Sequence, residues 1–403
     1  MCLLNQAGRD GKLGRWFAFL NRRPRPLCLD DFTTLSRQAN LSSSPHDLHA
    51  IIALYFSPLS LLFPLRCLFP SIKVGSVLFG ALSPSHCQLV RWGQATAVVN
   101  DALFVFGGKT DPYNSYGYTS APWNNDLLFL SLSTPFDPSA PPWQYLSGSQ
   151  NTSVSSQGNA LAWHTLSAFN DSFFLVFGGD TGPLSSIVLL DNSDSAQLLD
   201  VHDLTAPNFL TLPNNWAGEP QRRMRHASAS VNGKIYVIGG EAADGSGNTF
   251  STHYIFDPSV PAFTQLPTQN SPPGIYGHAA IILFDGRLLV FGGIAGGQLV
   301  SLSTIWVLDT TKSNLSWTLA SVQGSNLPPP RAAFAVVLLD DGRILIQGGT
   351  DAAFQTNLAD GWILDPSNNA MTWTAVPALS RVGARRDHFA FNAGGQVVFG
   401  FGA

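Results

Sequence analysis

Cysteine is missing from most of this chain, and glutamate is almost missing altogether. All four cysteines precede residue 90, the only glutamates are Glu219 and Glu241, and charged residues make up 12% of the 403 residues. Such a composition excludes long solvent-exposed helices, which are rich in Glu and Lys. A body without thiols folds in an oxidising compartment without mispairing, although a cytosolic chain can also lack cysteine. What is plentiful is glycine (37) and proline (27), which indicates short strands joined by turns.

The charge is divided unevenly along the chain. Residues 1–90 hold nine Lys or Arg and four Asp, whereas residues 91–403 hold 13 basic and 22 acidic residues. The larger part is therefore mildly acidic and has no basic face of the kind that binds nucleic acid. We expect no nucleic-acid partner.

Two apolar stretches, 50–65 and 74–82, lie in the N-terminal part, and small residues follow the second one. The first, of about 16 residues, is short for a membrane span of about 20 and is typical of a signal-peptide core. Its late position has two explanations: an N-terminal anchor, or a reading frame whose first 50 or so residues are not natural. We interpret residues 1–90 as a leader or anchor-like segment outside the main fold.

Four Asn-X-Ser/Thr sequons add to this picture, at Asn40, Asn151, Asn170 and Asn314. They are the acceptors of N-linked glycans in exported proteins. The sequence therefore predicts a secreted or cell-surface glycoprotein, with any membrane anchor outside the main fold. A cytoplasmic location is the alternative.

Residues 91–403 repeat one unit six times. Each unit has an alternating strand, a tight turn such as Asn232-Gly233, and a second apolar strand that ends in a glycine pair. Glycine at these points lets the backbone bend and approach a neighbour more closely than a Cβ would allow. The sixth copy ends at Gly402, and the pairs of the other five are Gly107 and Gly108, Gly178 and Gly179, Gly239 and Gly240, Gly292 and Gly293, and Gly348 and Gly349.

Units three to five also show two later strands. The third strand is predicted to end at Asp257, Asp309 and Asp365, and an aromatic residue opens the fourth at Phe263, Trp317 and Trp373. A glycine pair followed by a trailing tryptophan resembles the repeat of kelch proteins, across residues 91–403. The resemblance implies an all-β, kelch-type β-propeller, monomeric, with about six four-stranded blades; seven stay open. The chain is also similar to fungal kelch proteins related to the central domain of galactose oxidase, which are often secreted or membrane-anchored.

The sixth unit stops after its second strand, and a half-blade would leave strand edges unpaired. Either the N-terminal part supplies the missing strands, with 74–82 or 87–92 as candidates, or the chain has lost its natural C-terminus. We favour the loss, and the last blade is expected to be incomplete in the C-terminal sequence.

Catalytic chemistry finds little support in the sequence. The copper-radical oxidases that share this resemblance need a tyrosine cross-linked to a cysteine, and no cysteine follows Cys87. The iron pattern of some kelch proteins, Glu, Asp and His at four-residue spacing, is also absent, because Gly245 stands four residues after Glu241. We expect no catalytic residue, cofactor or metal. Histidines recur as one structural position of the repeat, at His164, His226, His278 and His388.

Arginines also recur before the first strands, at Arg222, Arg223, Arg225, Arg331, Arg385 and Arg386. A guanidinium can bridge loops through its planar set of donors, which is the structural interpretation. Alternatively, these arginines form a ring of positive charge around one mouth of the channel, suited to an acidic ligand.

The first unit carries an insertion, 109–124, which is rich in aromatic residues: Tyr113, Tyr116, Tyr118 and Trp123. Aromatic faces suit protein or sugar recognition, so we predict a candidate ligand-binding loop; the alternative is an insertion folded down onto its own blade. The predicted function is a non-catalytic scaffold for a protein or glycan. The alternative is a carbohydrate-active enzyme that uses loop carboxylates at Asp111, Asp180, Asp244 and Asp351.

Overall fold

The structure is a computed structural model in which the described residues are almost entirely strands and turns. Among the described residues, the only helical element is the 3-10 helix Pro377–Val382. The described residues are 2–6, 74–75, 91–111, 113, 115–137, 141–148, 157–181, 196–210, 216–367, 370–393 and 395–403.

Six antiparallel sheets follow one another along the chain, and we call them blades 1 to 6. Blade 1 consists of Ala95–Val99, Ala102–Phe106, Leu127–Ser131 and Gln144–Ser147. Blade 2 consists of Leu161–Ala168, Phe173–Thr181, Ala196–Asp200 and Asn208–Leu210. Blade 3 consists of Ala227–Val231, Lys234–Ile238, Tyr254–Asp257 and Ala262–Gln265.

The remaining blades have the same strand order. Blade 4 consists of Ala279–Ile282, Arg287–Phe291, Ile305–Asp309 and Trp317–Leu319. Blade 5 consists of Ala335–Leu338, Ile344–Gln347, Gly361–Asp365 and Met371–Ala375, with Val322–Gln323 parallel to its last strand. The C-terminal sequence gives blade 6 its first two strands, Phe389–Ala393 and Gln396–Gly400.

Blade 6 is completed by strands from the beginning of the chain. Cys2–Gln6 pairs antiparallel with Gln396–Gly400, and Val74–Gly75 pairs with Cys2–Gln6. Val74–Gly75 lies in one of the two segments suggested from the sequence, whereas Cys2–Gln6 lies in neither. Residues 7–73 and 76–90 lie outside the described residues, so the interpretation of 1–90 as a leader stays a prediction.

Each blade packs on the next through a separate apolar cluster. The clusters join blades 1 and 2, 2 and 3, 3 and 4, 4 and 5, and 5 and 6. A sixth cluster joins blade 6 back to blade 1 through Phe389, Phe391 and Leu103. Among the described residues, the contacts therefore run from each blade to the next and from blade 6 back to blade 1, as in a six-bladed β-propeller.

The two ends of the blades differ in structure. Tight turns between first and second strands lie at one end, which we call the hairpin-turn end; two of them have positive φ at both central residues, Asn100-Asp101 and Asn232-Gly233. The second strands end in the glycine pairs at the other end, the glycine-pair end. Short ribbons continue the blades there, formed by Arg91–Trp92 with Lys109–Thr110, Arg223–Met224 with Glu241–Ala242, and Ile275–Tyr276 with Ile294–Ala295 and Gln298–Leu299.

The structure confirms the all-β fold of about six four-stranded blades. The predicted ends of the third strands at Asp257, Asp309 and Asp365 are confirmed as well. Among the described residues, no helix is long and apolar enough to cross a membrane.

Candidate binding surface at the glycine-pair end

A belt of backbone hydrogen bonds encircles the channel at the glycine-pair end. One residue of each blade has positive φ at this end: Gly93, Trp163, Arg225, Gly277, Ala333 and Asp387. In five blades this residue lies two positions before the first strand. In blade 2, whose first strand is longer, it lies inside that strand. From Trp163 onwards, each of these residues donates its N–H to the carbonyl of the preceding one, over 2.6–2.9 Å. The side chain of Gln94 donates to the carbonyl of Asp387 over 3.1 Å and so links the last blade to the first.

The glycine pairs lie directly against this belt. A Cβ on the first glycine of a pair would meet the next blade: at Gly178 it would stand 2.2 Å from the carbonyl of Arg223 and 2.9 Å from the ring of His226. A Cβ on the second, Gly179, would stand 2.7 Å from the Cβ of His164 in its own blade. Both glycines have positive φ, and in blade 6 Phe401 takes the first position with φ 59°. The pairs therefore permit a close approach that side chains would block.

A histidine follows the belt residue in four blades, and Phe334 takes the same place in blade 5. The ring of His164 packs edge-on against Phe106 of blade 1, and that of His226 against Phe177 of blade 2. Burial lowers the pKa of His164 and His278 to about 3. These imidazoles are therefore neutral and pack between adjacent blades.

Arginines just before the belt fasten the glycine-pair end. Arg91, Arg223 and Arg331 each donate to the carbonyl of the first glycine in their own blade, over 2.6, 3.0 and 3.0 Å. Arg331 also holds both oxygens of Asp360 at 2.8 and 2.9 Å, and Arg385 donates to the carbonyl of Phe401. For these residues the structure shows the loop-bridging role.

Arg225 and Arg386 are different, because they lie at the mouth of the channel. Arg225 pairs with Glu241 at 2.7 Å and lies 4.5 Å from the ring of Trp163. Arg386 donates to Asn357 over 2.7 Å. Electrostatic interactions also connect Lys109 with Asp180, and Arg225 and Arg386 with Asp387. The mouth thus contains side chains of both charges.

The base of the blade 1 insertion is held by Lys109. This lysine is fully buried, donates to the carbonyls of Thr119 and Ala121, and places its ammonium 3.2 Å from the centre of the Trp123 ring. Burial lowers the pKa of Lys109 to about 8. Trp123 in turn donates its indole N–H to Asp180 over 3.2 Å. The insertion is therefore anchored to both blades 1 and 2.

Tyr118, from the same insertion, fills the mouth. Its hydroxyl donates to Asp387 of blade 6, and its ring stacks on Trp92 and on Phe354 of blade 5. The guanidinium of Arg386 lies 4.0 Å from the centre of this ring. Burial raises the pKa of Tyr118, and burial also raises that of Asp387, whose neighbours Arg225 and Tyr118 oppose the shift. The phenol is thus neutral and donates to a desolvated carboxylate.

The tip of the insertion is exposed to solvent. Tyr113 is 85% exposed and Tyr116 is 55% exposed. Asp111 accepts the backbone N–H of Ser115 and of Tyr116, which fixes the turn that carries them. The four predicted aromatic residues therefore divide into two pairs: Tyr118 and Trp123 pack inward, and Tyr113 and Tyr116 are presented outward. Ligand binding by this loop stays a prediction.

The four loop aspartates proposed for the alternative enzyme are each engaged locally. Asp111, Asp244 and Asp351 accept backbone N–H groups of their own loops, and Asp180 accepts the indole of Trp123. Nothing in the described part of the chain favours a pair of facing catalytic carboxylates. Within that part, no group of three or more His, Cys, Asp or Glu side chains is placed to hold a metal ion.

Sequence reasoning missed Asp387, Trp163 and Phe354 at the mouth. The signal that could have found the first two is their position directly before the recurrent histidine, where the chain lines the axis. A cavity of about 260 Å³ behind the mouth is lined by Trp163, Arg225, Asp387 and residues of the first strands.

Comparison with known proteins gives a consistent result. Residues 163–403 match the family described as the KLHDC2/KLHL20/DRC7 Kelch-repeats domain. The chain is similar to Adagio-like protein 1 of Oryza sativa subsp. japonica (28% identity over 80% of this chain and 47% of that protein) and to Adagio protein 3 of Arabidopsis thaliana (26% over 73% and 43%). A shorter match, with 31% identity over 94 residues, is to an F-box/kelch-repeat protein of Arabidopsis thaliana (23% of this chain, 19% of that protein). The chain spans about half the length of the Adagio relatives.

Proposed function

Because this chain belongs to the family of KLHDC2/KLHL20/DRC7 kelch-repeat domains, we propose that it is a non-catalytic scaffold that binds a protein partner at the glycine-pair end. The observation that carries the proposal is the tip of the blade 1 insertion, where two tyrosines are exposed on a turn whose base is anchored by Lys109 and Trp123. A preorganised aromatic pair loses little entropy on binding, which is why tyrosine is frequent in binding hot spots.

Electrostatics and exposure support a recognition surface rather than a simple folded-down insertion. At the mouth, Arg225 pairs with Glu241, and Trp123 of the insertion bonds to Asp180, whereas the rings of Tyr113 and Tyr116 stay exposed and open to a partner. Exposed aromatic rings at a rigid site are a typical protein contact. A glycan partner uses the same stacking chemistry and is the second outcome of the experiment below.

Site-specific photo-crosslinking tests the proposal in the cells that make the protein. A p-benzoyl-phenylalanine residue in place of Tyr113 is expected to give discrete adducts that contain a second polypeptide, and Tyr116→Ala should reduce their yield at least about tenfold, as for a hot-spot residue. The matched control replaces Phe284, which is 74% exposed at the hairpin-turn end. Equal adduct patterns at the two positions would contradict the proposal. Adducts that carry only sugar would show that the partner is a glycan and not a protein.

The secretory location and the relation to galactose oxidase-like proteins remain proposals that the sequence stretch and the sequons support. Asn170 and Asn314 are both exposed in the structure and are open to modification. We expect peptide N-glycosidase to reduce the apparent mass of the native protein, with Asn314→Gln removing one such step. An unchanged mass, with unmodified Asn170 and Asn314 in the mass spectrum of their peptides, would leave the cytoplasmic alternative.

A further inference from the structure

The position of Tyr118 goes beyond anchoring of the insertion. Its side chain touches residues of blades 1, 2, 3, 5 and 6, and the strands of those blades do not depend on it for their pairing. The insertion already has a separate anchor, because Lys109 and Trp123 hold its base. The phenol therefore occupies a slot that the blades themselves form.

The walls of this slot have a definite chemistry. Trp92 and Phe354 offer ring faces, at 6.1 and 6.0 Å between centroids, and Arg386 places its guanidinium 4.0 Å from the ring centre. At the end stands the carboxylate of Asp387, which accepts the phenol hydroxyl and the indole N–H of Trp163. Flat apolar faces, a cation over the ring and an acceptor at its end fit a phenol.

The segment that inserts Tyr118 is a short turn outside the blade strands. Tyr118 lies in a tight turn in which the N–H groups of Ser120 and Ala121 both bond to the carbonyl of Gly117. Its neighbours Gly117, Thr119 and Ser120 are exposed. Lifting the turn would unpair no strand, but it would break the bonds of the Tyr118 carbonyl to Trp92 and of the Thr119 carbonyl to Lys109, which a partner must compensate. Asp387 would then keep the indole N–H of Trp163 but lose the phenol donor, which is unfavourable until another donor replaces it.

We propose that this slot is a recognition pocket for a tyrosine side chain of the protein partner, and that Tyr118 fills it in cis until the partner displaces it. The inference rests on the proposed scaffold function. It adds a specificity: a tyrosine is preferred over phenylalanine, which lacks the donor for Asp387. Phosphotyrosine is excluded, because its charge would stand against that carboxylate.

The test uses the full chain with Tyr118→Ala, which empties the slot. N-acetyl-L-tyrosinamide should bind this variant at least about tenfold more tightly than N-acetyl-L-phenylalaninamide, as the loss of one hydrogen bond to a charged acceptor implies. The phosphorylated amide should not bind. The wild type and the control Phe284→Ala should show no binding at the same concentrations, because Tyr118 is in place. Ligand-observed NMR measures all four.

Equal binding of the two amides by the Tyr118→Ala variant, or no binding at all by a folded variant, would overturn the proposal. Should that variant fail to fold, Tyr118→Phe keeps the ring and removes only the hydroxyl. Tyrosinamide should then speed hydrogen exchange of the Ser120 and Ala121 amides in this variant, whereas phenylalaninamide should not; no difference overturns the proposal. Retained crosslinking at position 113 together with a failed slot test would leave the scaffold function standing.

Discussion

The two ends of the blades are stabilised by different contacts, although the same repeat forms both. At the glycine-pair end, backbone bonds of positive-φ residues and neutral histidines connect neighbouring blades, and buried arginines bridge loops within a blade. At the hairpin-turn end, aspartates stabilise their own turns, as where Asp309 accepts the N–H and the hydroxyl of Thr311, although Arg287 and Asn392 also bond to a neighbouring blade. The glycine-pair end therefore holds the cycle of blades together, and substitutions at the hairpin-turn end are expected to cost less stability.

Charge separates the two ends as well. In the described part of the chain, the hairpin-turn end carries 11 aspartates against four Lys or Arg. Nine acidic residues balance nine basic residues at the glycine-pair end. The acidic excess noted in the sequence therefore lies at the end where side chains are exposed and where pairs such as Lys234 with Asp257 contribute little.

The difference in stability between the two ends should be largest when a glycine is replaced by alanine. Gly178→Ala should cost about 2–5 kcal/mol in the free energy of unfolding, since a Cβ must be accommodated 2.2 Å from a carbonyl and at a φ of +68°. Gly342→Ala at the hairpin-turn end, where φ is +82° and the added Cβ would stand 3.8 Å from the ring of Phe284, should cost only about 1–2 kcal/mol. Urea unfolding measures both, and equal losses would contradict the distinction.

Buried and exposed arginines give the next contrast. Arg331→Met should cost about 1–3 kcal/mol in the free energy of unfolding, because the side chain is fully buried and its loss removes the donor to the Gly348 carbonyl, whereas Asp360 stays bonded to the indole N–H of Trp362. Arg287→Met removes an exposed pair with Asp285 and should cost about 0–1 kcal/mol. A smaller loss for Arg331 than for Arg287 would show that the bridging role is not structural.

The histidines between blades predict an acid sensitivity. Burial holds the pKa of His164 and His278 at about 3, below the usual 6.5, so the unfolded chain binds more protons and stability falls as the pH drops from about 6.5 towards 3. His164→Phe copies the natural Phe334 of blade 5 and should reduce the slope of unfolding free energy against pH by up to about 1.4 kcal/mol per pH unit. Measurement between pH 6.5 and 5 avoids most carboxylate titration, and an unchanged slope would contradict a neutral buried His164.

Much of this arrangement was visible in the sequence because it repeats. The glycine pairs, the histidine position and the aspartates at the ends of third strands depend on local geometry that each unit must satisfy again. The slot filled by Tyr118 was not predictable, because Tyr118 and its partner Asp387 are 269 positions apart in the chain. Nor was the pairing of Cys2–Gln6 with Gln396–Gly400, which no local pattern specifies. Phe401 in a glycine position shows that tertiary contacts also override the repeat.

The closed cycle of blades is tested most directly by native-state hydrogen exchange at the belt. The amides of Trp163, Arg225, Gly277, Ala333 and Asp387 each bond to the blade before them. If the blades close as one cooperative unit, all five should exchange with the same opening free energy, equal to that of global unfolding. Opening of the Asp387 amide at a much lower free energy than the other four would show that blade 6 separates on its own and would contradict the account.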